Sequence, residues 1–78
     1  MTEFEKELRY AYRNKAINYF GKHYKELKQP EIKIILDEII KQYFPLRPYI
    51  GSVQISKEEF LIFFRKVFHK EWQRSRVQ

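Results

Sequence analysis

Residues 58–76 read EEFLIFFRKVFHKEWQRSR, and this stretch decides the fold class because its apolar residues recur at helical spacing. The steps of three and four join Phe60, Phe63, Phe64, Val67, Phe68 and Trp72. Just upstream, Ser56 and Glu59 have the spacing of a capping box, in which each residue bonds the backbone of the other. The stretch therefore predicts a helix over residues 56–74, with one apolar and one basic face.

The same periodicity predicts two further helices upstream, over residues 3–28 and 30–43. Their apolar stripes are Leu8, Ala11, Tyr12, Ala16, Tyr19, Phe20, His23 and Leu27 in the first, and Ile32, Ile35, Leu36, Ile39, Ile40 and Tyr43 in the second. Pro30 suits the first turn of the second helix, where its missing N–H has no partner to lose. Gly21 costs roughly 1 kcal/mol inside a helix, so it marks a close helix contact, a kink or an early end.

Residues 44–55, FPLRPYIGSVQI, separate the second and third helices, because Pro45 and Pro48 prevent the helix from continuing. The segment is rich in apolar residues, which predicts that it packs down. The fold class that follows is all-α, a compact three-helix bundle in one domain over residues 1–78, with a packed loop containing proline and glycine. The loop exceeds the three or four residues of a helix-turn-helix. A wing from residues 50–55 would be a single strand without a partner.

The small size of the chain and its lack of cysteine limit the stability that it can reach. Its 78 residues bury a small core, and the absence of cysteine excludes disulfides and thiolate metal sites. Aromatic residues make up 18% of the chain, which compensates in part because each ring buries a large apolar area. A core of this size motivates the hypothesis of a homodimer or an obligate partner chain.

Residues for catalysis are scarce in this sequence. The chain has two histidines, His23 and His69, and neither lies beside a nucleophile or an orienting carboxylate at a spacing that would bring them together. No glycine-rich phosphate loop and no metal-ligand spacing occurs. We therefore predict a protein that is not an enzyme and has no cofactor, metal or small-molecule substrate.

Positive charge is concentrated in the first and third predicted helices. The net charge is +6, and no acidic residue occurs between Glu7 and Glu26 or between Glu59 and Glu71. Such segments neutralise phosphates, and nearby rings can stack on bases. We predict contacts to nucleic acid from the residues on the polar side of these helices, which are Arg9, Tyr10, Arg13, Tyr24, Lys28, Arg65, Lys66, His69 and Arg76. The competing interpretation is a solvated face that keeps a small protein soluble.

Three isoleucines, Ile17, Ile34 and Ile62, lie off the apolar stripes of their helices. Nucleic-acid surfaces have little use for isoleucine, whereas protein interfaces do. The alternative function is therefore a protein–protein interaction module, an inhibitor, adaptor or assembly subunit that docks on an acidic protein surface. No apolar run reaches the roughly 18 residues of a membrane span. A cytoplasmic protein without a membrane partner is the default expectation.

Overall fold

The computed structural model describes residues 3–44, 49–50, 53–54 and 56–76. The α-helices in these residues are α1 (Glu3–Phe20), α2 (Gln29–Tyr43), α3 (Lys57–Val67) and α4 (His69–Arg76). A 3₁₀ turn spans Tyr24–Glu26 between α1 and α2, and two short strands, β1 (Tyr49–Ile50) and β2 (Val53–Gln54), lie between α2 and α3. The all-α class is confirmed. The predicted number of helices is wrong, because the described residues form four α-helices rather than three.

Helix α1 ends at Phe20, so the predicted continuation to residue 28 is wrong. Gly21 adopts a left-handed conformation with φ of 63°, and its N–H donates to the Ile17 carbonyl at 2.8 Å. This glycine cap is a common way to close a helix, since glycine has no Cβ to oppose positive φ. Of the three alternatives at Gly21, the early end is the correct one. The chain then turns into Tyr24–Glu26, where the Lys25 N–H donates to His23 Nδ1 at 3.2 Å.

Helix α2 begins as predicted, with Pro30 in its first turn. The Glu31 carboxylate accepts a hydrogen bond from the Lys28 backbone N–H at 2.8 Å and lies 2.9 Å from Lys22 Nζ. These two bonds, the backbone bond first, lower the pKa of Glu31 below its ordinary value of 4.5. The Glu31 carboxylate therefore caps the first turn of α2 and also connects α2 to Lys22 in the segment after α1.

Strands β1 and β2 pair antiparallel, with Tyr49 opposite Gln54 and Ile50 opposite Val53. The expectation of a single strand without a partner is therefore wrong, because the partner is the segment that follows Pro48. The remaining part of the predicted packed loop, residues 45–48, 51–52 and 55, lies outside the described residues.

The predicted capping box is confirmed at the start of α3, where the Glu59 N–H donates to Ser56 Oγ at 3.2 Å. The single predicted helix is interrupted at Phe68, whose φ of −108° and ψ of 35° are not helical. The Phe68 ring is fully buried, 4.8 Å from the Phe64 ring and 5.3 Å from the Tyr12 ring. The break separates α3 from α4, and α4 packs along α2.

The buried core comes from α1, the segment before α2, α2, α3 and Phe68, and the partly buried Trp72 of α4 packs against it. Its buried apolar members are Leu8, Tyr12, Ala16, Leu27, Ile32, Ile35, Leu36, Ile39, Tyr43, Phe60, Phe64 and Phe68. Two residues of the predicted first stripe, Tyr19 and His23, are exposed instead. His23 lies beyond the end of α1 at Phe20. No helix in the described part of the chain is long and apolar enough to cross a membrane.

Candidate anion-binding site

Arg9 joins α1 to the start of α4. Its guanidinium Nη1 lies 2.9 Å from Glu71 Oε1 and donates to the Val67 carbonyl at 3.2 Å. The same guanidinium lies 5.4 Å above the centre of the Phe68 ring. The Glu71 side chain is 10% exposed and that of Arg9 26%, so the pair is largely removed from water. Arg9 is consequently held in one place before any ligand arrives.

Arg74 fixes the other end of α4 against the segment that precedes α2. Its Nη2 donates to the Leu27 carbonyl at 2.9 Å. Close by, Gln29 Nε2 donates to the Ser75 carbonyl at 3.0 Å. Because both bonds join side chains to backbone carbonyls far away in the sequence, they set the position of α4 and of the cations that it carries.

Tyr12 lies beneath these charged groups and is 1% exposed. Its hydroxyl has no hydrogen-bond partner among the described residues. Burial, followed by the negative charge of Glu71, raises the pKa of Tyr12 to about 12, while the charges of Arg74 and Arg9 oppose this rise. The Tyr12 hydroxyl is therefore a neutral donor close to Glu71, Arg74 and Arg9, without an acceptor in the described part of the chain.

The residues around this corner enclose a cavity of about 250 Å³, which we call the basic cavity. Its walls come from α1, the 3₁₀ turn and α4, and are made by Arg9, Tyr24, Lys25, Lys70, Glu71 and Arg74. Four cations thus face one carboxylate, which Arg9 already occupies. Lys70 has no hydrogen-bond, ion-pair or ring partner in the described ranges, so its charge is available to a ligand.

Tyr24 separates the basic cavity from a second depression, of about 300 Å³, which we call the Tyr24 depression. Arg13, Ile17, His23 and Tyr24 line it. The Arg13 guanidinium lies 5.0 Å from the centre of the Tyr24 ring, and the His23 ring lies 4.5 Å from it. The basic cavity and the Tyr24 depression share Tyr24, and we call the surface that they form the Tyr24 face.

The opposite side of α4 carries a different surface, the Trp72 groove, of about 400 Å³ between α4 and α2. Gln29, Lys33, Leu36, Asp37, Trp72, Ser75 and Arg76 line it. The Arg65 guanidinium lies 5.0 Å from the centre of the Trp72 ring. Asp37 offsets one of the two cations in the lining, so this groove carries less positive charge than the Tyr24 face.

The nine predicted contact residues do not form one surface. Arg9, Arg13 and Tyr24 come together on the Tyr24 face. Arg65 and Arg76 lie instead beside Trp72. The other four are Tyr10, which is 68% exposed, Lys28, which precedes α2, and Lys66 and His69, both exposed and in neither cavity lining.

The sequence analysis missed Lys25, Lys70 and Arg74. Lys25 was placed on a continuous helix, whereas the turn after Gly21 redirects it toward α4. Lys70 and Arg74 are four residues apart and so share a helix face. They flank the apolar stripe, and the prediction considered the side directly opposite that stripe. The i to i+4 spacing was the signal that could have identified them.

Of the three isoleucines proposed for a protein interface, Ile17 lines the Tyr24 depression. Ile17, Ile34 and Ile62 are 59%, 47% and 55% exposed, so their position off the core is confirmed. They lie on three different helices, α1, α2 and α3. Within residues 3–44 and 56–76, no group of three histidine, cysteine or acidic side chains is placed to hold a metal ion.

Comparison with known proteins finds no matching model of a protein family, no similar curated protein and no similar solved structure. A function is therefore inferred from the charge, shape and contacts of the Tyr24 face and the Trp72 groove.

Proposed function

We propose that this chain is a non-enzymatic binding protein that contacts the phosphates of nucleic acid through the Tyr24 face. The observation that carries the proposal is the convergence of Arg9, Lys70 and Arg74 with Lys25 around one tyrosine. Cations neutralise phosphates, and a partly exposed ring beside them suits an unpaired base. A single strand is a better fit than a duplex, because only unpaired bases can reach such a ring.

Two features support a surface that binds rather than one that is only solvated. Arg9 and Arg74 are held by Glu71 and the Leu27 carbonyl, at 2.9 Å in each case. Side chains that are already ordered lose less conformational entropy when a ligand binds. A face that serves only solubility has no need of arginines fixed in this way, since mobile lysines serve it equally well.

The second candidate is a protein–protein interaction module, and the exposure of Ile17, Ile34 and Ile62 favours it. Apolar residues near the centre of a protein interface can each contribute about 2 kcal/mol or more to affinity, as alanine scanning measures it. In this alternative, an acidic protein surface would meet the basic cavity, and Ile17 would supply the apolar contact beside it.

The experiment compares two triple variants that remove the same charge from different surfaces. Arg13→Gln/Lys25→Gln/Lys70→Gln alters the Tyr24 face, and Lys33→Gln/Arg65→Gln/Arg76→Gln alters the Trp72 groove and the arginine beside it. Fluorescence anisotropy with a labelled single-stranded oligonucleotide measures affinity across a salt series. We expect the first variant to lose far more affinity, and its salt slope to fall by about 0.7 for each phosphate that the variant no longer neutralises.

Ile34→Ser/Ile62→Ser changes two exposed isoleucines that lie outside the lining of the Tyr24 face, and it distinguishes the two candidate functions. Nucleic-acid binding through the Tyr24 face should be nearly insensitive to this change, whereas a protein interface that uses these isoleucines should weaken strongly. If wild-type protein fails to bind DNA or RNA oligonucleotides at low salt, the nucleic-acid proposal is wrong. Equal losses of affinity in the two triple variants would mean that binding follows net charge rather than the Tyr24 face.

A further inference from the structure

We propose that the Tyr24 face binds a phosphate monoester next to a nucleobase, as found at the phosphorylated end of a nucleic-acid strand or in a free mononucleotide. The inference rests on the proposed function and makes it more specific. The phosphate would occupy the basic cavity, and the adjoining base would occupy the Tyr24 depression.

The charge of the basic cavity is the first argument for a monoester. Its lining has four cations and one carboxylate, an excess of three positive charges. An internal phosphodiester carries one negative charge, whereas a terminal phosphate carries about −1.5 to −2 at neutral pH. A dianion gains more from several converging cations than a monoanion does. The cavity is therefore better matched to the end of a strand than to its interior.

The shape of the surface is the second argument. The basic cavity lies between α1, the 3₁₀ turn and α4, and its volume is about 250 Å³. The Tyr24 depression shares Tyr24 with it and is of similar size, about 300 Å³. A phosphate and the base attached to it could therefore occupy neighbouring hollows. The mixture of Arg13, Ile17 and His23 in the Tyr24 depression suits a base, which has an apolar face and polar edges.

The third argument comes from Lys70, which lines the basic cavity. Lys70 has no hydrogen-bond, ion-pair or ring partner in the part of the chain that the structure describes. Phosphate oxygens are acceptors that form charge-assisted hydrogen bonds with a lysine ammonium group.

The test measures a ratio of affinities, so that general charge effects cancel. Two oligonucleotides of one sequence, with a 5′-phosphate or a 5′-hydroxyl, are titrated against the wild-type protein. One hydrogen-bonded contact to a charged group corresponds to about a tenfold change or more, so we expect the phosphorylated strand to bind at least about tenfold tighter. A parallel arm compares uridine 5′-monophosphate with uridine by chemical-shift changes in the protein.

Two variants make the test specific to the cavity. Lys70→Gln should bring the ratio close to one, because Lys70 is the cation of the wall that has no partner within the described ranges. Lys41→Gln removes the same charge from an exposed position on α2 and should keep the wild-type ratio. The folding of both variants is checked by circular dichroism, and no change is expected because neither lysine is buried.

The outcomes separate this inference from the proposed function. Equal binding of the two strands, together with no preference for the monophosphate over uridine, overturns the inference while the proposed function stands. If neither strand binds but the monophosphate does, the cavity is a mononucleotide site and the strand proposal is wrong. A ratio that falls equally in the two lysine variants also overturns the inference, because it would reflect net charge alone.

Discussion

The two sides of α4 differ in the number of their cations and in how those cations are held. On the Tyr24 face, Arg9 and Arg74 are each bonded at 2.9 Å to groups on other elements. On the Trp72 side, Arg65 has a ring contact at 5.0 Å, and Arg76 has no partner in the described residues. The two surfaces therefore differ in the ordering of their cations as well as in the amount of charge. Cations held in place before binding give a surface that loses less entropy when a ligand arrives.

The largest expected effect comes from removing the ring beneath Arg9. Phe68→Ala should lower the free energy of unfolding by about 3–5 kcal/mol, because the ring is fully buried and its removal leaves a cavity. Urea denaturation measures the change. Phe63→Ala makes the same truncation at a half-buried position and should cost clearly less. Equal losses in the free energy of unfolding would mean that the Phe68 ring beneath Arg9 contributes no more to stability than the half-buried Phe63 ring.

Removing the carboxylate that holds Arg9 should have the next largest effect. Glu71→Gln should cost about 2–3 kcal/mol, somewhat less than for a fully buried pair, because the Arg9 side chain is 26% exposed. The matched control is Asp37→Asn on the Trp72 side, where the Lys33–Asp37 pair is exposed and 3.6 Å apart. That change should stay within about 0.5 kcal/mol. Urea denaturation measures both variants, and similar values would remove the contrast between the two sides.

Tyr12→Phe should stabilise the protein at neutral pH by about 1 kcal/mol, because it removes a buried hydroxyl that has no partner among the described residues. The pH dependence tests the same environment. The pKa of Tyr12 rises on folding from 10.0 to about 12, so the stabilisation from its neutral form is complete below pH 10 and is lost as pH rises through 12.

Thermal unfolding of wild type and Tyr12→Phe between pH 9 and 12, about the range of tyrosine ionisation, checks this expectation. The variant should lose less stability over the alkaline range than wild type does. Tyr43, whose pKa burial also raises, remains in both proteins and contributes equally to each curve. A wild-type curve parallel to that of the variant would contradict the buried, unpaired state of Tyr12.

Gly21→Ala should have the smallest effect of the four, about 1 kcal/mol, measured by thermal or urea denaturation. Nothing lies within 4 Å of an added Cβ, so the cost comes only from placing an L residue at φ of 63°. Gly21→Asn should cost less, since asparagine tolerates this conformation better. These substitutions test the turn at Gly21 that leads from the end of α1 into Tyr24–Glu26. A cost-free alanine would mean that the left-handed cap is not needed.

Local signals in the sequence were sufficient for much of the fold. The spacing of apolar residues predicted α2 and most of the core, because periodicity depends only on neighbours along the chain. The capping box at Ser56 and Glu59 was predicted for the same reason, since its partners are three residues apart. Local spacing was not sufficient at Gly21. The sequence was compatible with a close helix contact, a kink or an early end of the helix there, and the folded chain adopts the early end.

The candidate site depends on bonds between residues distant in sequence. The bonds of Arg9 to Val67 and of Arg74 to Leu27 span 58 and 47 positions, respectively, and no periodic pattern encodes such pairs. The break at Phe68 is of the same kind, because the burial of its ring against Tyr12 depends on how α1 packs. Charge and helical class are local properties of this chain. The basic cavity exists only because tertiary packing brings α1, the 3₁₀ turn and α4 to one corner.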